Sequence, residues 1–170
     1  MALEVREAAD DELEEAGLVT AAAYRALIGP GHDRGWGSYL DRIADARGRA
    51  ARAVVLVALD DGRIVGSATL EIHERIDADD EPLGAETAHI RMLGVAPEDQ
   101  GRGAGQALMG ACEARAVAAG KTLMTLNTTP TMTTAQRMYE GLGYERGADR
   151  VFPDGFVLLS YAKRLPPSSS

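Results

Sequence analysis

The chain has 170 residues, 45% hydrophobic and 26% charged, which supplies one core and leaves little room for a second domain. With 26 acidic against 18 basic residues the formal net charge is −8, which removes long-range attraction to nucleic-acid phosphates or anionic lipid. No apolar run approaches the ~18 residues of a membrane span, the start MALEVREAADDELEEAG lacks the basic-then-apolar order of a secretory signal, and the single Cys112 excludes an internal disulfide or a cysteine-based zinc cluster, so the expected location is the cytoplasm.

Taken in chain order, LEVREA alternates like a short strand, and DDELEEAGLVTAAAYRALI follows as a helix with Asp10 or Asp11 as N-cap. GPGHDRGW breaks the pattern. SYLDRIADARGRA resumes it, with Tyr39, Leu40 and Ile43 at helical spacing behind a Ser38 cap. AVVLVAL and RIVGSATLEI are β-rich runs joined by DDG, a hairpin signal. The acidic loop DADDEPLGA leads to a strand, TAHIRMLGV, then a turn at Pro97 and a helix from about Gly101 to Ala119 stopped by Gly120.

KTLMTLN is the next strand. TTAQRMYEGLGY is a helix in which Thr133 and Gln136 form a capping box, Ala135, Met138, Tyr139 and Leu142 share a face, and Gly143 is the stop. GFVLLSYAKRL is the last strand, after the turn-like PDG, and PPSSS is a frayed tail. The order β-α-α-β-β-β-α-β-α-β describes an α+β fold with a mixed sheet and no internal repeat. Residues 1–165 are expected to form one domain and 166–170 a disordered tail. The acidic stretches DDELEEAG and EIHERIDADDEPLGAE are read either as solvated faces or as a field that steers a cationic substrate.

One hexapeptide asks for a separate reason. QGRGAG sets glycines at every second position between the strand ending at Val95 and an alanine-rich helix. A strand, a glycine-rich turn and a helix present backbone N–H groups at a positive helix end, and glycines admit an anion because no Cβ intervenes. The spacing is not that of a dinucleotide fingerprint, whose third glycine would fall at Gln106 or Leu108. It is not a Walker A loop either, because Gly105 and Gly110 run on into Ala111 and Cys112. The alternative is a turn in which the glycines serve only close helix packing.

From HIRMLGVAPEDQGRGAGQALM through NTTPTMTTAQRMYEGLGY the sequence resembles the GCN5-related N-acetyltransferase (GNAT) superfamily. Gln100, Gly103 and Gly105 match the family loop Q/R-x-x-G-x-G/A between a strand and a helix, and YEGLGY matches the second block. With the DDGRIVGSATL hairpin the resemblance spans roughly Val54 to Leu165, while the N-terminal part fits only by the order of its elements. It implies a mostly antiparallel central sheet flanked by helices in three α/β/α layers, and an acyltransferase that takes acetyl-CoA as cosubstrate and needs no metal. By the same resemblance Gln100 and Gly101 belong to the cofactor loop, and the N–H groups of Arg102, Gly103, Ala104, Gly105 and Gln106 bind its pyrophosphate. Leu93, Gly94 and Val95 pair with the pantetheine arm like an added strand. This strand is expected to splay from its neighbour, with Gly94 as the site of distortion. Asn127 would contact cofactor or substrate, or simply end its strand.

Acyl transfer from a thioester to an amine needs a neutral amine, stabilisation of the carbonyl oxygen and a proton for the departing thiolate. In histone-type members of the resembled family a Glu eleven residues before the loop motif serves as base, and this chain has His89 there. An imidazole of ordinary pKa, near ~6.5, is mostly neutral at pH 7 and accepts a proton. His89 is therefore the candidate base, with Glu86 and Glu71 as rivals, and a buried structural histidine as the other reading. His73 and His32 lack metal-site spacing with it. Tyr139 stands where the family's helix aims a phenol at the CoA sulfur, which makes it the candidate acid, or else a core aromatic. Met132 replaces an Asn common in relatives, so that cofactor contact is absent or supplied elsewhere. The backbone N–H of Leu93 or Val95 would polarise the acetyl carbonyl.

The acceptor follows least directly. GPGHDRGWGSYLDR carries the only tryptophan, and Trp36 and Tyr39 are candidates to wall the acceptor site, with the acidic loop Asp77 to Glu81 attracting an amine. The leading expectation is an acetyltransferase acting by direct attack, in a ternary complex, on a small-molecule primary amine. The alternatives are protein or peptide acetylation, and a non-catalytic acetyl-CoA-binding module. No nucleic-acid or membrane partner is expected, and a homodimer is compatible with the sequence.

Overall fold

The computed structural model describes residues 3–28, 37–153 and 155–167. Eight strands form one twisted arrangement: β1 (Leu3–Glu7), β2 (Val54–Asp60), β3 (Arg63–Glu71), β4 (Thr87–Val95), β5 (Leu123–Thr128), β6 (Glu145–Arg146), β7 (Arg150–Val151) and β8 (Val157–Arg164). They run in the spatial order β1-β2-β3-β4-β5-β8-β6, with β7 paired to β8. Every neighbouring pair is antiparallel except β4 with β5. That mixed, mostly antiparallel sheet between helices is the expected α+β architecture.

The helices are α1 (Leu13–Ile28), α2 (Gly37–Ala44), α3 (Ala46–Ala50), α4 (Ala104–Ala118) and α5 (Thr133–Gly141). One sheet face packs on α4 and α5 through Leu56, Leu70, Leu108, Met109, Met124 and Leu126, all essentially inaccessible. The other face carries α1 to α3 on two smaller clusters, Leu13, Ala16, Val57 and Leu59 in one and Ala21, Ile43 and Met92 in the other. Alternation along β2 to β4 supplies both faces, so these strands are nearly continuous in apolar residues, as doubly covered strands are. Asp61 and Gly62, both at positive φ, close the two-residue β2–β3 hairpin that DDG predicts.

Several local expectations are corrected. The first helix is entered through a 3-10 turn at Asp10–Glu12, where Glu12, not Asp10 or Asp11, accepts the Ala9 N–H at 2.8 Å while clasping Arg6. Ser38 lies inside α2 and is not its cap. The helix read across residues 38–50 breaks at Asp45, whose carboxylate accepts the Gly48 N–H at 3.0 Å and starts α3. Helix α4 begins at Ala104 instead of Gly101, because Gly101 and Gly103 stand at φ +80° and +90°, left-handed values that no helix interior tolerates. Thr133 and Gln136 form no capping box. Met132 occupies the cap without a side-chain bond, and Gln136 Nε2 donates to the carbonyls of Thr129 and Pro130. The two-residue strands β6 and β7 carry too short a pattern to be read from sequence.

Candidate active site

The parallel ladder between β4 and β5 runs from Thr87↔Leu123 to Ile90↔Leu126 and stops. Beyond it β4 pairs only with β3, through Gly94↔Ser67 and Val95↔Gly66. Among the described residues one edge of Leu93–Val95 is thus left without a strand, which is a template for an extended ligand. The expected splay is present, but its source is not Gly94. Between Arg91↔Thr69 and Gly94↔Ser67 the β4 side holds one residue more than β3, and Met92 takes φ +54°. This bulge at Met92 and Leu93 bends the strand. Gly94 serves a close approach instead: a Cβ there would stand 3.0 Å from the Ala23 Cβ and 3.3 Å from Thr20 Cγ2, so helix α1 lies directly against the bent strand.

The loop after β4 is fastened from below. Arg63 donates two bonds to Asp99, at 2.9 and 3.0 Å, and holds that carboxyl below its usual range. Gln100 Nε2 donates to the Val95 carbonyl at 3.2 Å. Gly101 and Gly103 face open space, and Gly103 caps α4 without any side chain. The first N–H groups of α4 have no partner within the helix and point at that space. Gly105 differs from the expectation that all three alternating glycines make room for an anion. A Cβ there would meet Met138 Sδ at 3.2 Å, so this glycine lets α5 pack on α4. The Arg102 side chain is exposed near Asp60 and Asp99, at 3.9 and 3.8 Å.

On the sheet face that carries α1 and α2, a cavity of about 420 Å³ adjoins the opening, lined by His89, Thr125, Asn127, Ser160, Arg75 and Arg150 among others. His89 is 6% exposed, and burial, aided by the positive charge of Arg75 and Arg91, pushes its pKa down to about 3. It is therefore neutral at pH 7. Its Nδ1 lies 2.7 Å from Thr125 Oγ1, and that hydroxyl reaches the Ala88 carbonyl at 3.4 Å. If Thr125 spends its proton on Ala88, Nδ1 carries the imidazole proton and Nε2 keeps the lone pair.

The rival bases are placed differently. Glu71, paired across the ladder with His89, is wholly buried and engaged by Arg75, Arg91 and the Ile76 N–H. Glu86 lies before β4 on the surface, bonded to Thr122 at 3.4 Å. The acidic loop is not a free field either: Asp77 pairs with Arg42 at 3.1 Å, and Asp80 with Arg91 and Arg75 at 2.9 and 3.2 Å.

Asn127 is exposed at the open end of β5, its Nδ2 3.4 Å from Ser160 Oγ. On the opposite face Tyr139 of α5 is 6% exposed, with its ring 6.2 Å from that of Tyr144 and 6.0 Å from that of Tyr161. Its hydroxyl has no hydrogen-bond partner among the described residues. Burial, with Cys112 nearby, raises its pKa, so it stays a donor at every working pH. Cys112 itself is buried and pushed up to about 12, which leaves it a core thiol.

Tyr39 of α2 meets Tyr24 of α1 edge to face at 6.5 Å. Burial raises the Tyr24 pKa, with Tyr39 adding to the shift, and Tyr24 packs with Tyr39 on the Ala21, Ile43 and Met92 cluster. Arg49, 3% exposed, holds α2 in place by donating to the Arg42 and Ile43 carbonyls at 2.7 and 2.8 Å and to Thr69 at 3.0 Å. Trp36 and His32 lie outside the described residues. The sequence reading missed Thr125, Arg91, Arg150 and Tyr24. Alternation on β4 puts Arg91 on the face of His89, but the rest depend on contacts between distant elements. Among the described residues no group of three or more His, Cys, Asp or Glu could hold a metal ion, and no helix is long and apolar enough to cross a membrane.

A profile of the acetyltransferase (GNAT) family matches residues 21–144. No curated protein matches the sequence. Solved structures do match: yncA from Salmonella typhimurium, solved with its cofactor acetyl-CoA, is 20% identical over 100% of this chain and 98% of its own, with a TM-score of 0.68. A GCN5-related N-acetyltransferase from Rhodopseudomonas palustris is 22% identical over 97% and 99%, with a TM-score of 0.73. The ribosomal-protein-S18-alanine N-acetyltransferase from Escherichia coli is 17% identical over 99% and 96%, with a TM-score of 0.66. These likenesses concern the fold. The profile spans most of the chain and includes the open strand edge, the glycine loop and Tyr139, and on that ground the chain belongs to the GNAT family of acetyl-CoA-dependent acyltransferases.

Proposed function

We propose that this acyltransferase acetylates the primary amine of a small molecule by direct attack within a ternary complex. The observation that carries the reading is the end of the β4–β5 ladder at Ile90 and Leu126, which opens a strand edge beside a cavity of about 420 Å³. An arm of pantetheine has there the backbone of Leu93–Val95 to pair with, and its pyrophosphate has the N–H groups of Arg102 to Gln106, with Gly101 and Gly103 leaving the space clear. Gln100 acts by locking the loop to Val95. Tyr39 forms part of the acceptor wall.

In the reaction the acceptor nitrogen bonds to the thioester carbon and the carbon–sulfur bond breaks. A backbone N–H of Leu93 or Val95 takes charge on the carbonyl oxygen. The Tyr139 hydroxyl, without a hydrogen-bond partner among the described residues, donates its proton to the sulfur as it leaves. Neutral His89 accepts the amine's hydrogen bond at Nε2. Because its pKa of about 3 disfavours imidazolium, it orients the amine through that hydrogen bond, and the proton is lost from the nitrogen directly to solvent. Asn127 lies beside the same opening to orient acetyl group or amine.

The test is CoA release from acetyl-CoA across a panel of small amines and peptides with free N-termini, with tight acetyl-CoA binding measured in parallel. Turnover of small amines and not of peptides supports the reading. Turnover of peptides alone replaces it with protein acetylation, and binding without turnover of any amine makes the chain an acetyl-CoA-binding module.

A further inference from the structure

We infer that the acceptor carries an anionic group, a carboxylate close to the amine as in an α-amino acid, and that Arg150 binds it. The inference rests on the acetyl-transfer reading and names its substrate class.

Four charged side chains line the cavity: Arg75, Asp80, Glu81 and Arg150. Two of them are already spent on the protein. Arg75 lies 3.0 Å from Glu71 and 3.2 Å from Asp80, and Asp80 also takes Arg91 at 2.9 Å. Two guanidiniums thus neutralise two carboxylates in a closed ring, which has no net charge to offer a ligand. Arg150 is different. It forms no ion pair with any described residue, although the cavity it lines contains two carboxylates.

What Arg150 does touch leaves its donors open. The guanidinium carbon stands 4.7 Å from the centre of the Phe152 ring. A contact with the ring takes up none of the guanidinium's hydrogen-bond donors, and the N–H fork that matches a carboxylate has no partner among the described residues. Phe152 is itself fixed, with its ring 5.7 Å from that of Phe156, its N–H donating to the Phe156 carbonyl at 2.8 Å and its carbonyl accepting from Gly155 N–H at 2.9 Å. The Arg150 backbone is pinned by pairing with Leu158 of β8. Arg150 is exposed, and the ring contact and the backbone pairing limit where its fork can go, which lowers the entropy lost on binding. In a chain of net charge −8 this is a local anion site against the general field.

The sheet register supplies the geometry. The amine has to reach the opening at Asn127, which pairs with Ser160, and Arg150 pairs with Leu158, two residues further along β8. Along β8 the two rungs are one strand repeat apart, about 6.8 Å. Because Asn127 and Arg150 belong to different strands beside β8, a lateral offset adds to it, which the long arginine side chain has to span. An anion only a few bonds from the amine fits that interval. A peptide N-terminus offers no charge there. Glu81, the other unpaired charge lining the cavity, would favour a second ammonium instead, which makes a diamine the competing acceptor.

The experiment measures binding by calorimetry on the CoA-saturated protein, and kcat/KM for CoA release, for the common L-amino acids, their α-amides and 1,4-diaminobutane. It uses wild type, Arg150→Gln and Arg150→Lys. Each amide differs from its acid by the negative charge, and its less basic amine is more fully deprotonated near neutral pH, so a preference for the acid at that pH has to come from the site. For the best acceptor, wild type should favour the carboxylate over the amide about tenfold or more, falling to within about twofold in Arg150→Gln and partly kept in Arg150→Lys. Amides or the diamine equalling the acids in wild type overturns the inference, as does a preference that survives Arg150→Gln. Carboxylate-selective binding lost in Arg150→Gln but without CoA release upholds the anion site and removes the acetyl-transfer reading. CoA release on amides and acids alike does the reverse.

Discussion

On the cofactor side of the opening the chain offers main-chain groups: the free edge of Leu93–Val95 and the N–H groups at the start of α4, cleared by Gly101 and Gly103. On the side proposed for the acceptor it offers side chains drawn from distant elements, His89 of β4, Asn127 of β5, Arg75 from the loop after β3, Arg150 of β7 and Ser160 of β8, which line one cavity. The backbone half asks of the sequence only a local pattern of strand, bulge, glycines and helix. The side-chain half asks for particular residues far apart in the chain. A cofactor platform built of backbone can persist while the acceptor half changes chemistry, which is why family membership fixes the acetyl donor and not the amine.

The largest effect is expected where the two halves meet. Tyr139→Phe should lower kcat about a hundredfold while acetyl-CoA affinity and Tm hold, since the hydroxyl has no hydrogen-bond partner among the described residues. Turnover near wild type, with chemistry shown to be rate-limiting, would make Tyr139 a core aromatic.

To break the cofactor half alone, Gly103→Val places a Cβ in the anion's space at φ +90°. At a hundredfold excess over the wild-type Kd, acetyl-CoA should stabilise wild type by about 2.7 kcal/mol and this variant not at all. Gly105→Val should behave otherwise, lowering the Tm of the free protein by pressing on Met138. Equal responses in thermal melts would erase the distinction between the two glycines.

To break the acceptor half alone, Gly17→Ala drives a Cβ into the Ala44 carbonyl where α1 crosses α2. A cost of about 1–3 kcal/mol is expected, with α2 and Tyr39 displaced. The acceptor KM should rise more than the acetyl-CoA Kd. Parallel changes in both constants would mean that the halves are mechanically coupled.

The smallest effect is pH-linked. The folded pKa of His89, about 3, lies below its unfolded value near ~6.5, so the unfolded state binds the proton first. The stability this contributes is full above pH ~6.5 and is lost as pH falls towards 3. In urea melts at pH 7 and pH 5, wild type should lose on the order of 1 kcal/mol more than His89→Gln over that interval. With a weakly basic acceptor, kcat/KM should show no His89 inflection between pH 6 and pH 9. An inflection near ~6.5 that disappears in the variant would mean that an ordinary imidazole is the base.

Legibility in the sequence follows the same division. The strands β2 to β5 and the helix bearing Tyr139 announce themselves through unbroken apolar runs and helical spacing, and QGRGAG is a local signal. The bulge at Met92 is not legible, because neither residue there is a glycine and no local pattern marks the extra residue against β3. Gly105 and Gly103 look alike in the hexapeptide, and only packing against Met138 separates them. The acidic loop reads as a charged lure, yet Arg42, Arg75 and Arg91 neutralise it through contacts no local pattern encodes. His89 is visible by its offset from the loop, while its depressed pKa depends on burial and on two arginines brought in by the fold.

The central claim is that acetyl-CoA binds along the open edge of β4 and the start of α4. Amide hydrogen exchange with and without acetyl-CoA tests it directly. The account predicts slowed exchange at Leu93–Val95 and at Arg102–Gln106, with the β1–β2 ladder unchanged. Bound acetyl-CoA that leaves both segments exchanging at their free rates, or that protects a different surface, would contradict it.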